Sequence, residues 1–415
     1  METAIVLLNR DLRVHDHPAL AAACAAARQV VPLFVLDPAI PAGRRTSFLL
    51  DCLTDLRASL RARGGELFVR RGDTVTETLR LARQVGAEAV HASADVSALA
   101  QRRQRRLAAE RLDVRFHPGV TVVPPGELRP GGGGDHYRVF TPYWRAWSRR
   151  ARRAPAPVPE RLAVPAGVEA GELPEAGPRW GAMRGGESAG RERMRAWLDT
   201  GLDGYADGHD DLAGDRTSRL SPYLRFGCLS PLELAAAGNE DFTRQLCWRD
   251  FHHQVTAAFP EIARRDYRPR GHRWREDPDA AEAWRQGLTG VPIVDAGLRQ
   301  LLAEGWMHNR ARLITASYLV RHLRLDWRIG AAHFHELLLD GDVANNCGNW
   351  QWVAGTGNDT RPNRTFNPLR QARRFDPDGE YVRRYVPELA GLPAPVIHEP
   401  WLSGHPMGDY PVPLA

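Results

Sequence analysis

The sequence predicts two parts of different fold class: an N-terminal α/β domain on a doubly wound parallel sheet of five strands, and an all-α C-terminal domain. Three observations support this. Short β-rich runs alternate with helical runs up to residue 128, a stretch rich in Pro and Gly fills residues 129–190, and strand signals fade over residues 191–415. Strand–helix alternation at this spacing is typical of a parallel sheet with helices on both faces.

Each predicted strand of the first domain is followed by a turn or a helical run. The first strand, TAIVLL (3–8), precedes the helical run PALAAACAAA (18–27). The remaining strands are VVPLFVL (30–36), ELFVR (66–70), AEAV (87–90) and DVRFH (113–117), separated by helical runs at 44–63, 73–85 and 97–112. We therefore expect a Rossmann-like domain over residues 1–128.

Residues 129–190 are predicted to be an interdomain linker, because clusters of Pro and Gly such as APAPVPERLAVPAG (154–167) favour turns and loops. The aromatic run HYRVFTPYWRAWSRR (136–150) within it is expected to pack against a neighbouring element. Residues 191–415 show helical periods rich in Leu, Ala and Arg, and they hold nine of the twelve Trp residues. Such a concentration of indoles is ordinary core filling or a surface for a flat aromatic ligand.

The charge composition excludes several mechanisms. The 415 residues include 56 basic and 50 acidic side chains, a formal net charge of +6, and every basic residue is Arg. Without Lys, a GxxxxGK[ST] phosphate loop and a Schiff-base mechanism are excluded. Arg forms bidentate contacts with phosphate and stacks on flat rings, so the composition is compatible with a nucleic-acid partner.

The sequence indicates neither a metal site nor a membrane segment. Its five cysteines form no CxxC pair, and His252-His253 lacks the spacing of metal ligands. No apolar run reaches the ~18 residues that a membrane helix needs, and the N-terminus lacks the features of a signal peptide. The protein is therefore predicted to be cytoplasmic.

Four segments carry the residue types that chemistry requires. DGDVANNCGNWQW (340–352) combines two carboxylates, paired Asn and two Trp, and TSRLSPYLRFG (217–227) places hydroxyls and Arg at a helix start suited to phosphate. WRDFHHQ (248–254) and GWMHNRARLITASYL (305–319) place Trp, His or Asn, and Arg on successive helical turns. Taken alone, the first of these segments is equally compatible with a polar loop.

Together these segments resemble the photolyase/cryptochrome flavoproteins, and within them the class I cyclobutane pyrimidine dimer photolyases. RDLRVHDHPAL (10–20) is similar to the opening turn of that family, and TSRLS, WRxF, GWMHNR, DGDVANN and WQW follow in the family's order. The resemblance implies an α/β antenna domain, a helical domain that binds FAD, and light-driven repair of pyrimidine dimers in damaged DNA. It also implies a monomer.

The resemblance assigns residues to the cofactor and to electron transfer. FAD, reduced and anionic when active, is expected to contact Tyr205, Thr217, Ser218, Arg219, Leu220, Ser221, Arg249, Arg312, Asp340, Gly341, Asp342 and Asn346. Asn346 is expected to face flavin N5, and Arg312 to pair with Asp340. Trp350, Trp327 and Trp274 match the inner, middle and outer members of the family's electron-transfer chain.

A second group is assigned to DNA and the flipped-out lesion, which photolyases must extract from the duplex. These residues are Gln245, Trp248, His252, Asn309, Arg310, Trp352, Arg364 and Gln371, of which Gln245 and Asn309 are also expected to act in catalysis. Trp248 and Trp352 match the two indoles that sandwich the dimer.

Three departures from the family pattern keep alternatives open. Gln245 stands where the dimer-repair enzymes usually have Glu, which predicts slower splitting and is compatible with a cryptochrome-like photoreceptor. Gln here also occurs in (6-4) photolyases, but those enzymes need a His where this chain has Asn309. His209 replaces an Arg that commonly touches DNA phosphate. Residues 94–103 lack the Glu of a folate antenna, which favours a deazaflavin, another flavin or no antenna.

Overall fold

The computed structural model describes residues 1–40, 43–175, 177–358, 360–361, 364–402, 404 and 407–414. The chain divides into two compact units. The first comprises residues 1–179, 183–200 and 218–260, and the second comprises residues 180–182, 201–217 and 261–415. The domain boundaries predicted at residues 128 and 190 stay a prediction.

The first unit is built on a parallel sheet. Its strands are β1 (Thr3–Leu8), β2 (Gln29–Leu36), β3 (Phe68–Arg71), β4 (Ala89–Ser93) and β5 (Asp113–His117). Their order is β3-β2-β1-β4-β5, and all neighbours run parallel. Every residue of β1 is buried, as a central strand covered on both faces requires. The predicted doubly wound sheet of five strands is confirmed.

The first four helices alternate with the strands, as predicted. The helices up to residue 258 are α1 (Pro18–Ala26), α2 (Thr46–Arg61), α3 (Thr74–Val85), α4 (Ala98–Ala108), α5 (Phe140–Arg149), α6 (Glu187–Thr200), α7 (Tyr205–Gly208), α8 (Ser221–Phe226), α9 (Pro231–Ala235) and α10 (Glu240–Ala258). Those that follow are α11 (Pro278–Gln286), α12 (Pro292–Glu304), α13 (Asn309–Ser317), α14 (Trp327–Leu337), α15 (Val343–Ala354), α16 (Pro368–Phe375), α17 (Glu380–Tyr385) and α18 (Ala394–Ile397). The described residues after 191 contain no strand, so the predicted all-α class of this region is confirmed.

Strand β4 extends further than its apolar residues indicate. The sequence predicts residues 87–90, whereas the strand runs over Ala89–Ser93 and includes the buried polar residues His91 and Ser93. His91 Nδ1 lies 3.0 Å from Nε2 of His117 on β5, so a hydrogen bond satisfies this buried ring nitrogen. A polar pair across two strands is not visible in the hydrophobic pattern of one segment.

The aromatic run at 136–150 forms α5 and packs on α10, as expected. Phe140, Tyr143 and Trp147 are buried, and the rings of Phe140 and Tyr143 lie 5.7 and 5.6 Å from that of Phe251 on α10. Trp147 Nε1 donates to the Asp250 carboxylate at 2.9 Å. These contacts fix the orientation of α10, which carries several of the predicted site residues.

A buried arginine joins the loop after β1 to the turn that follows α8. The Arg13 guanidinium is 1% exposed and donates to the carbonyls of His15, Asp16, Gly119 and Gly227. Gly227 has φ +70°, and a Cβ there would lie 1.9 Å from the carbonyl oxygen of Arg10. Only glycine fits this approach, so α8 and the candidate residues at its start are held against the α/β sheet domain.

In the second unit, α12 packs against α13 and α17, and α14 packs against α15. Among the residues that the structure describes, no helix is long and apolar enough to cross a membrane.

Candidate functional site

An arginine–aspartate pair joins α13 to the loop before α15. Arg312 donates to both carboxylate oxygens of Asp340, with N–O distances of 3.2 and 2.9 Å, and its Nε donates to the Met307 carbonyl at 2.9 Å. The Asp340 side chain is 6% exposed. A bidentate pair of this kind fixes the plane of the guanidinium, so the structure places Arg312 and Asp340 together as predicted.

The second carboxylate of this loop begins α15. Asp342 is 4% exposed, and its Oδ1 accepts from the backbone N–H of Asn345 at 2.8 Å and from the Asn345 amide at 3.0 Å. Asp at this position satisfies an N–H group that the first turn leaves unpaired. Gly341 lies between the two carboxylates, and its N–H donates to the carbonyl of Leu338 at 3.1 Å.

The orientation of the Asn346 amide is set by α14. Asn346 is 9% exposed, and its Nδ2 donates to the carbonyl of Ala331 at 2.8 Å. Because a carbonyl oxygen only accepts, and only the nitrogen of the Asn346 amide can donate, this bond assigns the amide nitrogen to Ala331. Asn346 Oδ1 is therefore the side-chain atom that can accept a hydrogen bond from a ligand.

Trp350 is buried between α14 and α15. Its ring makes edge contacts with Phe334 and Trp284, at centroid distances of 5.0 and 6.0 Å. Within the described residues, Trp350 Nε1 is buried with no hydrogen-bond partner. A Cβ on Gly330 would lie 2.0 Å from Cη2 of this indole, so the missing side chain of Gly330 makes room for the ring.

The other two indoles of the predicted chain differ in exposure. Trp327, the first residue of α14, is fully buried, and its Nε1 donates to Asp266 at 2.9 Å. The Arg328 guanidinium lies 4.7 Å from its ring centroid. Trp274 is half-buried in the irregular segment before α11, 4.9 Å from the ring of His272.

Trp352 lies near the end of α15, and its neighbours are basic and aromatic. The Arg364 guanidinium lies 4.8 Å from its ring centroid, and the Phe366 ring lies 6.2 Å away. Arg364 is exposed, whereas Gln371 on α16 is half-buried. Arg364 therefore combines an exposed charge with a cation–π contact.

Asn309 and Arg310 begin α13, but Arg310 is already paired. Asn309 is exposed, and His308 Nδ1 accepts from the Arg310 backbone N–H at 3.1 Å. The Arg310 side chain donates to Asp210, with Nε–Oδ1 and Nη2–Oδ2 distances of 3.1 and 2.5 Å, and stacks 4.3 Å from the ring of Phe375. No sequence pattern predicted this ion pair.

The backbone cap at His308 requires an unprotonated ring. Burial of the imidazole, which is 1% exposed, lowers the pKa of His308 to about 4, because the charged form loses its hydration there. The neutral Nδ1 is thus available as an acceptor at physiological pH.

Tyr205 and Thr217 belong to the second unit as well. Tyr205 on α7 is buried, its ring 5.1 Å from that of His209, whose Nδ1 lies within 3.0 Å of the carbonyls of Tyr205 and Ala206. Thr217 Oγ1 is buried and has no hydrogen-bond partner among the described residues. A buried hydroxyl without a partner is costly unless a ligand or water satisfies it.

The remaining residues of the TSRLS motif lie in the first unit. Arg193 Nε donates to the Ser218 carbonyl at 2.7 Å, and Ser218 Oγ accepts from the N–H of Leu220 at 3.3 Å. Arg219 has φ +51°, a conformation that non-glycine residues rarely adopt. Ser221 then starts α8 with Pro222 in its first turn. Backbone strain of this kind is often found where a loop is shaped for a ligand.

Helix α10 presents Gln245, Trp248 and His252 on successive turns. Gln245 is exposed, and the half-buried Trp248 stacks on Phe140 with a centroid distance of 3.6 Å and an interplanar angle of 3°. His252 is buried, 5.8 Å from the Trp248 ring. Phe140, which the sequence did not single out, fixes the plane of Trp248.

Arg249 on α10 contacts the segment that follows β5. Arg249 Nη1 donates to the Val120 carbonyl at 2.5 Å and lies 3.7 Å from the carboxylate of Asp250. Burial raises the pKa of Asp250 to about 6, although Asp250 accepts from the Val123 N–H and from Trp147. A backbone carbonyl already engages Arg249, the predicted cofactor contact.

The predicted residues are divided between the two units. The second unit joins Arg312 to Asp340 and places Asp342, Asn346, Trp350 and Trp352 on one helix with its cap. The first unit holds Ser218–Ser221 and α10. The sequence missed the supporting residues Gly330, Ala331, Asp210 and Phe140, which act through packing or backbone groups. Gln351, fully buried between the two Trp, is a further example: its amide donates to the carbonyls of Ile262 and Arg265.

The residues of the second unit fit a bound flavin nucleotide. An unpaired buried hydroxyl at Thr217, an acceptor at Asn346 Oδ1 and a buried indole N–H at Trp350 are polar groups that a ligand can satisfy. The fixed Arg312–Asp340 pair adds a rigid charged edge. Such groups on an otherwise apolar helical scaffold are typical of a cofactor site.

Comparison with known proteins is consistent with this geometry. Residues 242–414 match the family described as the FAD binding domain of DNA photolyase, and residues 4–162 match the DNA photolyase family. A protein of Streptomyces griseus named deoxyribodipyrimidine photo-lyase is 51% identical over 100% of this chain and 96% of its own length. The crystal structure of a bacterial class III photolyase from Agrobacterium tumefaciens superposes with a TM-score of 0.92 at 34% identity, covering 100% of this chain and 94% of that chain. A cryptochrome from Synechocystis has a TM-score of 0.92 at 30% identity, covering 100% of this chain and 96% of its own.

Proposed function

The chain belongs to the DNA photolyase family and contains its FAD-binding domain, and from this premise we propose that it repairs cyclobutane pyrimidine dimers in DNA under blue light. The observation that carries the proposal is the packing of α13 and α14 on α15, because these helices and the loop before α15 carry the Arg312–Asp340 pair, Asn346 and Trp350. The assignment to class I is part of the proposal.

The residues that the family resemblance assigns to FAD are the proposed holders of the cofactor. Thr217, Ser218, Arg219, Leu220 and Ser221 would bind its phosphates and ribose with Tyr205, while Arg249, Arg312, Asp340, Gly341, Asp342 and Asn346 would surround the flavin. When bound, reduced FAD supplies the light-excited electron that splits the dimer. Asn346 would offer Oδ1 to flavin N5, because its Nδ2 is held by Ala331. A neutral amide provides no acidic proton there, which favours repair over signalling.

Three indoles would carry charge between the surface and the flavin. Trp274 is half-buried, whereas Trp327 and Trp350 are buried, a gradient suited to passing an electron inward from solvent. Replacing Trp350 with Phe should abolish photoreduction of the oxidised enzyme while sparing repair by chemically reduced enzyme. Photoreduction that survives this change would contradict the assigned path.

The family resemblance supplies the proposed lesion contacts, with Trp248 and Trp352 as the stacking residues. Stacking of an unpaired base on an aromatic ring contributes about 1–3 kcal/mol, which offsets the cost of flipping the dimer out of the duplex. Gln245, His252, Asn309 and Gln371 supply hydrogen-bonding groups, and Arg310 and Arg364 supply cations for the DNA backbone. Undamaged DNA lacks the poorly stacked dimer and would bind less tightly.

A cryptochrome-like photoreceptor without repair activity is the second candidate, favoured by Gln245 in place of Glu. Repair of (6-4) lesions is disfavoured, because Asn309 cannot supply the proton that this reaction needs. The deciding assay gives photoreduced protein oligonucleotides with one lesion of each kind, in the light and in the dark. Light-dependent restoration of thymines from cyclobutane dimers supports the proposal, and intact FAD photoreduction without it supports the photoreceptor.

For the second chromophore, a deazaflavin or another flavin is proposed over folate, and the alternative is that the protein carries no antenna. The carboxyl ends of β2 and β4, where doubly wound sheets bind ligands, carry the ion pairs Asp37–Arg103 and Asp95–Arg10. An absorption spectrum of the protein as isolated tests this, since each antenna absorbs at a different wavelength.

A further inference from the structure

The Arg310 side chain is occupied by a carboxylate of its own chain. Two of its nitrogens meet the two oxygens of Asp210 at 3.1 and 2.5 Å, and the ion pair is largely shielded, with side-chain exposures of 19% for Arg310 and 26% for Asp210. Phe375 covers the face of the guanidinium at 4.3 Å. A carboxylate and a phosphate bind the same fork of guanidinium donors, so Asp210 takes the edge that a phosphate would use.

His209 Nε2 lies 3.8 Å from Asp210 Oδ1, and the backbone just after Asp210 is anchored to α16 and α17. The N–H of Leu212 donates to the carbonyl of Phe375 at 3.3 Å, and Arg384 donates to the Ala213 carbonyl at 3.1 Å. The same end of α16 therefore supports both the acid and the guanidinium that stacks on Phe375. Displacing the Asp210 carboxylate from Arg310 therefore costs free energy.

We propose that Asp210 is an internal competitor for DNA phosphate, which keeps Arg310 closed until a phosphate displaces it. The inference deepens the proposed function and rests on it, because the competing ligand is the DNA backbone. It makes Asp210 a determinant of affinity: its charge repels an approaching phosphate, and its oxygens must be exchanged for those of the DNA. The consequence is weaker binding than the cation count of the site suggests.

The test is the replacement Asp210→Asn, measured as dark binding to a lesion-containing duplex and to the same duplex without the lesion. We expect the affinity for DNA at low salt to rise about fivefold, because partly exposed ion pairs typically contribute an interaction of about that size. The dependence of log K on log salt should steepen by about one phosphate contact. Thermal unfolding and bound FAD per chain verify that the variant is folded.

Two comparisons separate competition from a general charge effect. Asp211→Asn removes the same charge one residue away. The cation beside Asp211 is Arg216, at 3.7 Å, and not Arg310. This variant should therefore raise the affinity for DNA far less. In an Arg310→Gln background, Asp210→Asn should have no more effect than Asp211→Asn.

The outcomes are distinguishable. Unchanged or weaker binding by Asp210→Asn, with the original chain binding DNA, would overturn the competition and show instead that Asp210 orients Arg310 for DNA. If neither protein binds DNA, the proposed function fails together with this inference. If Asp210→Asn binds DNA and the original chain does not, the competition by Asp210 is strong enough to prevent binding, which supports the inference.

Discussion

At the scale of single residues, burial decides which side chains keep their ordinary chemistry. His308 is the clearest case, because its backbone cap on α13 depends on a neutral ring in a buried place. The two residues that follow it, Asn309 and Arg310, are proposed to meet DNA. Protonation of this buried imidazole would therefore remove the cap of the helix that carries both residues.

We predict that His308 makes the fold sensitive to acid. The unfolded ring takes up a proton near pH 6.5, but the folded ring does so only near pH 4, because burial lowers its pKa. The contribution of this group to stability is complete above pH 6.5 and is lost as the pH falls toward 4, up to roughly 3 kcal/mol. Unfolding by urea should show this loss relative to His308→Asn, which caps without titrating. Parallel pH profiles for the two proteins would contradict the assignment.

Gln245 offers a second prediction at this scale. The position is exposed on α10, so Gln245→Glu should change the free energy of unfolding by no more than about 0.5 kcal/mol. A carboxyl can lend a proton to the reduced dimer, and we expect faster splitting in single-turnover repair at saturating protein. Gln84→Glu, an equally exposed change on α3, is the matched control. Equal splitting rates in the original chain, Gln245→Glu and Gln84→Glu would show that proton transfer from position 245 does not affect repair.

At the scale of elements, the close packing of α14 on α15 supports the indole site. Because Gly330 lacks a side chain, the Trp350 ring can pack directly against its backbone. The carbonyl of Ala331, the next residue of the same helix, accepts from the Asn346 amide and fixes its orientation. One turn of α14 thus positions Asn346, the proposed partner of flavin N5, and Trp350, the proposed inner member of the electron-transfer chain. The sequence predicted a helical region here but neither these two helices nor this turn, because a glycine in a helical run does not reveal which ring fills the space above it.

We predict that Gly330→Ala displaces the Trp350 ring. The new Cβ would lie 2.0 Å from Cη2, which forces a shift and should lower the free energy of unfolding by about 1–3 kcal/mol. Urea unfolding measures the loss, and bound FAD per chain measures the effect on the site. In a Trp350→Phe background the ring atom that clashes is missing, so the same substitution should cost less. An equal cost in both backgrounds would show that the clash is relieved elsewhere.

At the scale of the whole molecule, the two halves of the chain were predictable to different degrees. Strands such as β1 and β2 are continuous apolar runs between turns, so the sheet and its order of elements follow from pattern alone. The helical half was predictable only as a class. Its site residues came from the resemblance of motifs such as DGDVANN, and partners such as Asp210 and Arg310 are 100 residues apart in the chain. No local pattern reports a pairing at that separation.

The charge of the whole chain leads to a prediction about DNA binding. With a net charge of +6 and only Arg as the basic residue, affinity for DNA should fall steeply with salt, by about 0.7–0.9 in log K per phosphate contact for each unit of log salt. Lesion and undamaged duplexes should give parallel salt lines, because both use the same phosphate contacts. The offset between the lines should come from uncharged stacking on Trp248 and Trp352.

Trp248→Ala tests this division directly. It should bring the lesion line toward the undamaged line by about 1–3 kcal/mol and leave the slope unchanged, because an indole carries no charge. Arg364→Gln should instead reduce the slope for both duplexes by about one contact, since Arg364 is an exposed cation. Fluorescence anisotropy across a salt series measures both quantities in the dark. A change of slope in Trp248→Ala would mean that the lesion is held by charge, against the proposed stacking between indoles.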